Sequence, residues 1–493
     1  MPDMLNSDGD LGRHITVGNY ILDTGAIPTQ DVFSHTRYGE HLVLHEWLSE
    51  IVFASAHRVA GLNGVAWLTA LLLALIYFTL AIGLRMLGVS APLAFVAALA
   101  AYLTGAIHHL PRPHLFTLLF FTLFLILLEL YRRRDTERYG DIERYRDTER
   151  YGERSLHAPR SMLYVHHFSF LALSLFVLIL WANFNGAFVL AFFILGIYII
   201  GALLDREPRR ALIFLSFLAL SFLASLINPF GINLPQHVFG FMGNRFLVDN
   251  TVEYLSPNFH NISAWFFAAW ILFSKLLLGR STTRVSWTHL LLLGAWTMFG
   301  LYSARNIANY AMVAALVLAP IAQMYFVDAL PMARARLENL NHVAPIGAGW
   351  VWGIVVVALL IFLQTNGATF DARGEGNVFT TRAFPVGAVE YLEKNPPSGN
   401  MFNEYTWGGY LEYRLFPKQR VFIDGDNDFF GEAFVREYLD VIHAREGWEK
   451  ILEKYDVAWV LVPPSRALAK ELARLENWRE VYRDEEAGVW VRR

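Results

Sequence analysis

The chain has 493 residues, of which 55% are hydrophobic, 15% aromatic and 17% charged, with a net charge of −3 and no cysteine. Soluble domains carry roughly 25% charged residues. The shortfall here lies in long apolar blocks between short charged ones, which excludes a soluble enzyme or a disordered chain and indicates a polytopic helical membrane protein. The balanced charge gives no reason to expect nucleic acid. The lack of cysteine excludes disulfides, thiolate catalysis and cysteine metal sites, and leaves an oxidising compartment open.

Residues 1–64 are the first polar segment. Its densest signal is Asp8-Gly-Asp-Leu-Gly-Arg-His14. Two carboxylates at i and i+2 can share a divalent cation, or one can act as a base that the other tunes; a solvated turn has the same spacing. His45-Glu-Trp-Leu-Ser-Glu50 then opens an amphipathic stretch through Val59 that reads as a helix lying in the membrane interface.

Apolar runs follow at Val65–Leu84, Ala91–Ile107, Leu115–Leu128, Phe168–Trp181, Ala187–Leu204, Ala211–Ile227, Ile262–Leu278, Trp287–Tyr302, Ile307–Val327 and Ala344–Leu363. They amount to about ten spans, each near the roughly 17–25 residues that a tilted helix needs. Arginines at 132–134, 206, 209, 210, 280, 284, 334 and 336 fall in alternate short loops, which places those loops in the cytoplasm. Residues 1–64, 108–112, 183–186, 228–261 and 364–493 then lie outside. Because 1–64 is too polar to cross a membrane, this topology implies a first helix lost ahead of Met1, the alternative being a tail translocated with the first span. The heptapeptide Arg134–Gly140 recurs at Arg146–Gly152 and reads as a duplicated, solvated cytoplasmic linker. His166, His167 and His289 read as interface histidines at inner span ends.

Beyond Leu363 the composition changes to that of a small α/β domain. Helices are expected at Val386–Lys394, Glu432–His443 and Trp448–Tyr455, buried strands at Val421–Asp424 and Val457–Val462, and a hairpin from Trp478–Arg483 to Gly488–Arg492. Asp424, Asp426 and Asp428 follow a strand. An Asp/Gly/Asn-rich turn explains them, with a cation site as the alternative. Tyr405, Trp407 and Tyr410 read as core residues, with sugar stacking as the alternative. Arg112, between His109 and His114, is read equally as a phosphate ligand or as an interface-anchoring arginine. Arg305 lies at a span end in an apolar region, where an ionisable group is costly and commonly functional.

Several of these motifs, in this order, resemble bacterial GT-C-fold glycosyltransferases, the superfamily of the dolichyl-phosphate-mannose:protein mannosyltransferases and the lipid A aminoarabinose transferases. They are Asp10-Leu-Gly-Arg-His14, Gly18–Leu22, Gly25–Pro28, Asp31–Ser34, His45-Glu-Trp-Leu48, Arg112-Pro-His114, Trp181–Gly186, Asn228–Gly231, Arg305-Asn306, Tyr405–Leu411 and Val421–Gly425. The resemblance covers most of the chain. It implies an all-α polytopic membrane domain at 65–363, an extracytoplasmic first loop at 1–64 and an extracytoplasmic α/β domain at 364–493, in a bacterial inner membrane. It further implies sugar transfer from a polyprenyl-phosphate donor, among membrane lipids, to an extracytoplasmic lipid, glycan or protein. The family's essential acidic residue maps to Asp10 or Asp8. Arg13, His14, His45, Glu46, Arg112, His114 and Arg305 are the expected substrate-binding residues. No metal ligand is assigned, and a divalent cation stays open as a possible cofactor. Asn185 stands where the family pattern Trp-Ala-Asn-x-His-Gly has histidine. This departure leaves a non-catalytic membrane scaffold as the alternative reading. A transporter is the third, against which stands the absence of paired internal repeats.

Overall fold

The computed structural model describes residues 2–150, 160–280, 285–328 and 377–493. Among these, six helices are long and apolar enough to cross a membrane: Trp47–Met86, Ala91–His108, His114–Asp135, Gly186–Leu204, Pro208–Ser225 and Ala304–Tyr325. The helices Arg160–Phe184, Ile262–Arg280 and Trp287–Tyr302 match three more of the expected apolar runs. The run Ala344–Leu363 and the arginines at 334 and 336 lie outside the described residues, as does the end of the heptapeptide repeat. The side chains of His166 and His167 are likewise not described. The expected number of ten therefore stands at six helices of spanning length and composition.

Burial decides the order within the bundle. The most apolar stretches of His114–Asp135 and Ala304–Tyr325 are 89% and 83% buried, against 39–50% in the other four. These two are its central rods, and the others turn apolar side chains such as Leu71, Phe95 and Leu212 outward. An outward apolar surface is what a lipid-facing helix requires, since lipid gives no reason to hide it.

The expected interfacial helix and first span form one element, Trp47–Met86, broken at Ala60 and Gly61. Gly61 has φ 58° and ψ −146°, a conformation open only to glycine without strain. The leg before it packs on a helix that sequence reading treated as loop, Leu11–Thr24. That helix is buried on nearly every side through its first two turns, Arg13 and His14 included.

In the tail, four strands run in the order β1-β2-β4-β3, with β1 (Asn400–Asn403), β2 (Val457–Val462), β3 (Trp478–Arg483) and β4 (Gly488–Arg492). β1 and β2 are parallel, and the other pairs are antiparallel. Side chains alternate between faces with period two. Met401, Trp459, Leu461 and Val489 meet the helices Val386–Lys394 and Gly408–Leu415 on one face. Phe402, Val460, Val462 and Trp490 meet Asn427–Ile442, Trp448–Lys454 and Ala467–Leu472 on the other. Trp407 and Tyr410 lie in the first of these cores, as read from sequence. Val421–Asp424 is buried but is not a strand. Val421 makes a single bridge to Ser34, and the side chain of Asn403 accepts the N–H of Phe422 at 2.8 Å, taking the place of a neighbouring strand.

The first segment and the tail are clasped together. Arg13 is buried against Glu50 at 3.3 Å, Asp424 at 3.5 Å and Asp426, all nearly inaccessible. Arg13→Ala leaves these carboxylates without their counter-charge, and breaking a buried ion pair in this way costs about 3–5 kcal/mol. Limited proteolysis in detergent should show faster cleavage between the first segment and the tail. Wild-type protease resistance in that variant would mean that the clasp carries no stability.

Candidate active site

The end of the bundle facing the tail gathers charge from four distant stretches of chain. Asp8 and Asp10 precede the Leu11–Thr24 helix, Arg112 lies in the turn before the His114–Asp135 helix, Glu253 sits in the short helix Val252–Tyr254, and Arg305 starts the Ala304–Tyr325 span. Arg112 is the hub. It is 2.6 Å from Asp8 Oδ1 and 3.1 Å from Asp10 Oδ2, and it also pairs with Glu253. Glu253 lies 3.6 Å from Arg305, whose Nη1 donates to the Tyr254 hydroxyl at 2.8 Å and whose guanidinium lies over that ring. The Tyr405 hydroxyl donates to Gly425 O at 3.3 Å beside the same site.

The two aspartates are not equivalent. The sequence favours Asp10 facing the protein and Asp8 facing solvent, and the structure reverses this. Asp8 is 1% exposed, whereas the Asp10 side chain is 27% exposed. The cause is local: Asp8 Oδ1 accepts the Asp10 N–H at 2.9 Å as well as the Arg112 bond, which folds its carboxylate under the turn. Desolvation in the narrow site, reinforced by Asp8 and opposed by Arg112, pushes the Asp10 carboxyl up to about 6. Gly425 leaves the space in which Asp10 stands, since a Cβ there would lie 1.7 Å from Asp10 Oδ1. Burial opposes ionisation of Glu253, but Arg305 and Arg112 together pull it down to about 2. The site thus holds the raised Asp10 carboxyl against Arg112, and the ionised Glu253 between Arg112 and Arg305.

The other expected residues divide. His14 lies 3.5 Å from Glu50 and 3.8 Å from Glu46. Burial alone would lower its pKa, and the hydrogen bond to Glu50 with the charges of Glu46, Glu50 and Asp10 raises it. Arg13 spends its donors on the clasp. His114 contacts the His108 carbonyl at 2.6 Å, and His108 contacts the Ala304 carbonyl at 2.8 Å, so both hold the backbone around Arg112. Glu46 accepts from Asn185 Nδ2 at 2.6 Å, while Asn185 Oδ1 accepts from Thr117 at 2.9 Å. His45 lies with His237 and Asp428 on the tail side. Desolvation, with Asp428 close by, pushes Asp426 well up despite Arg13; Asp428, against desolvation, is held down by His45 and His237. His289, read as an interface residue, is joined with Arg132 and Tyr198 to Glu129 at the opposite end of the bundle.

Sequence reading missed Glu253, Tyr254 and His237. Their one signal was position, in the long polar interval 228–261 between apolar runs. Nothing in their spacing points to Arg112, because the contact is made by the fold.

The helical bundle capped by a mixed α/β domain is the architecture of the GT-C fold. Two solved structures of the Archaeoglobus fulgidus oligosaccharyltransferase share it. The AglB structure in complex with an inhibitory peptide and a dolichol-phosphate superposes with a TM-score of 0.57 at 13% identity, covering 92% of this chain and 65% of that one. The apo form gives 0.56 at 13% identity, covering 92% and 66%. This chain therefore spans about two thirds of the length of these neighbours. No family model and no curated protein matches the sequence.

Asp10 offers a test independent of activity. Carbodiimide couples to protonated carboxyl groups, so Asp10 should still be labelled at about pH 5.5, where carboxylates near the ordinary value of about 4 have ionised, and labelling should fall as pH rises through about 6. Peptide mass spectrometry reads the site. Loss of Asp10 labelling in step with ordinary exposed carboxylates would contradict the assignment.

Proposed function

We propose that the chain is a membrane glycosyltransferase that moves a sugar from a polyprenyl-phosphate donor to an acceptor on the extracytoplasmic side, with inversion. The observation that carries this reading is the joining of Asp10 to Arg112 and Arg305 through Glu253 at one end of an apolar bundle. The fold shared with an oligosaccharyltransferase whose structure holds a dolichol-phosphate supports a lipid-linked donor. In the proposed step the acceptor hydroxyl loses its proton to Asp10 as its oxygen attacks the anomeric carbon. The bond from that carbon to the phosphate oxygen breaks, and its electron pair leaves on the phosphate. Oxocarbenium-like charge develops on the sugar. Arg112 and Arg305 neutralise the departing phosphate, which guanidinium forks do well because each can bind two oxygens. Asp8 holds Arg112 in place and raises Asp10 by its charge.

The proposed boundaries are a first extracytoplasmic segment at 1–64, a membrane domain of about ten spans at 65–363, and an extracytoplasmic domain at 364–493, in a bacterial inner membrane. A second reading, a non-catalytic scaffold that binds a partner through the tail, rests on Asn185, whose side chain is wholly engaged by Thr117, Glu46 and Ala187.

Transfer of labelled sugar from polyprenyl phosphate in reconstituted vesicles separates the two. Asp10→Asn should lower the rate by about 10²–10⁴-fold with donor binding retained, and Arg305→Lys should weaken donor binding. Full transfer in Asp10→Asn removes the base, and no transfer by the wild-type chain favours the scaffold. Orientation is tested on the cysteine-free background with an impermeant maleimide on intact cells. Cysteines replacing the exposed Asn258 and Glu446 should label, and one replacing Arg209 should not. The opposite pattern would invert the topology.

A further inference from the structure

Three side chains beside the proposed active site have no part in the transfer step. His45, in the first segment, directly precedes the Glu46 cap of the Trp47–Met86 helix, His237 lies in the Asn233–Gly243 helix, and Asp428 is in the first turn of the Asn427–Ile442 helix. They come from positions far apart in sequence, yet one ligand atom from each lies within 4.8 Å of the other two. His237 Nε2 is 2.7 Å from Asp428 Oδ2, and His45 Nδ1 is 3.6 Å from the same oxygen. The two imidazole rings stand 5.7 Å apart at 32°. We propose that His45, His237 and Asp428 form a binding site for a divalent transition metal of the zinc type, tying the first segment and the 228–261 interval to the tail.

Geometry supports this. Ligands about 2.0–2.1 Å from a tetrahedral zinc lie roughly 3.3 Å from one another, and the observed separations bracket that value. Opening the His237–Asp428 contact by a few tenths of an ångström admits the ion. The donor set of two imidazole nitrogens and one carboxylate oxygen suits zinc, or cobalt in its place, and is a poor match for magnesium or calcium, which take oxygen ligands. Each side chain is about one-fifth exposed, which leaves one face open for a water or a further ligand, the arrangement of three protein ligands that open zinc sites use. Local charge points the same way. Asp424, Asp426, Glu46 and Glu50 crowd Arg13 and His14 nearby, so carboxylates outnumber guanidiniums on this side of the site. Nearby Glu46 Oε1 lies 3.8 Å from His45 Nε2 and adds a further negative charge beside the ring that presents Nδ1.

The proposal holds whether or not the chain transfers a sugar, and its test reads metal alone. The full chain, purified in detergent through an affinity tag without histidine and stripped with chelator, is incubated with zinc chloride, desalted and assayed for zinc by elemental mass spectrometry. The wild type should retain one equivalent, and a large excess of magnesium should not displace it. His45→Ala, His237→Ala and Asp428→Asn should each lower zinc affinity by more than about 100-fold, since even outer partners of a metal ligand cost 10–100-fold; Asp440→Asn, on the exposed side of the same helix, should not. His237→Cys guards against a folding defect. It keeps a zinc ligand and, because the chain has no cysteine of its own, its cobalt form should show a near-ultraviolet thiolate charge-transfer band. Equal zinc in the wild type and the His45→Ala/His237→Ala double variant would overturn the proposal, as would a cobalt form of His237→Cys without the thiolate band.

Discussion

The burial of Asp8 requires Arg112. A carboxylate taken out of water needs a counter-charge in contact, or it costs several kcal/mol, and Arg112 supplies it at 2.6 Å. The same guanidinium reaches Asp10 and Glu253, so one residue in a short turn draws together the first segment and the 228–261 interval. His108 and His114 hold that turn by contacts with backbone carbonyls. The position of Asp10, its raised pKa and its nearness to Arg305 through Glu253 all follow from where Arg112 stands.

The tail is part of the same construction. Arg13 joins the Leu11–Thr24 helix to Asp424 and Asp426, and the missing side chain of Gly425 gives Asp10 its room. The tail is therefore one wall of the site. The three arginines at this end of the bundle thus have different duties: Arg13 is consumed by structure, while Arg112 and Arg305 keep partly accessible faces.

The sequence displays what repeats locally and hides what the fold assembles. Apolar runs at spanning length mark the membrane helices, and the Val386–Lys394 helix, the Val457–Val462 strand and the closing hairpin fall at the residues read from patterning. The Leu11–Thr24 helix was hidden because its buried face includes Arg13 and His14, which break the apolar stripe that periodicity seeks. Val421–Asp424 has a strand's composition, but the Asn403 side chain occupies its hydrogen bonds. Asp8, Asp10, Arg112 and Arg305 could be singled out as charges in costly or resembling places. Glu253, which links the two arginines, could not, because a single glutamate in a polar interval carries no sign of its partners.

The electrical coupling of Asp10 to Arg112 is the centre of the proposed site, and the pH dependence of transfer measures that coupling most directly. With Asp10 as the base, the rate in reconstituted vesicles should rise with pH through about 6 in the wild type. Because Arg112 favours the ionised form of Asp10, Arg112→Gln should move that rise to higher pH. A wild-type rate that is flat across this range, or a rise left unmoved when Arg112 is neutralised, would contradict the account.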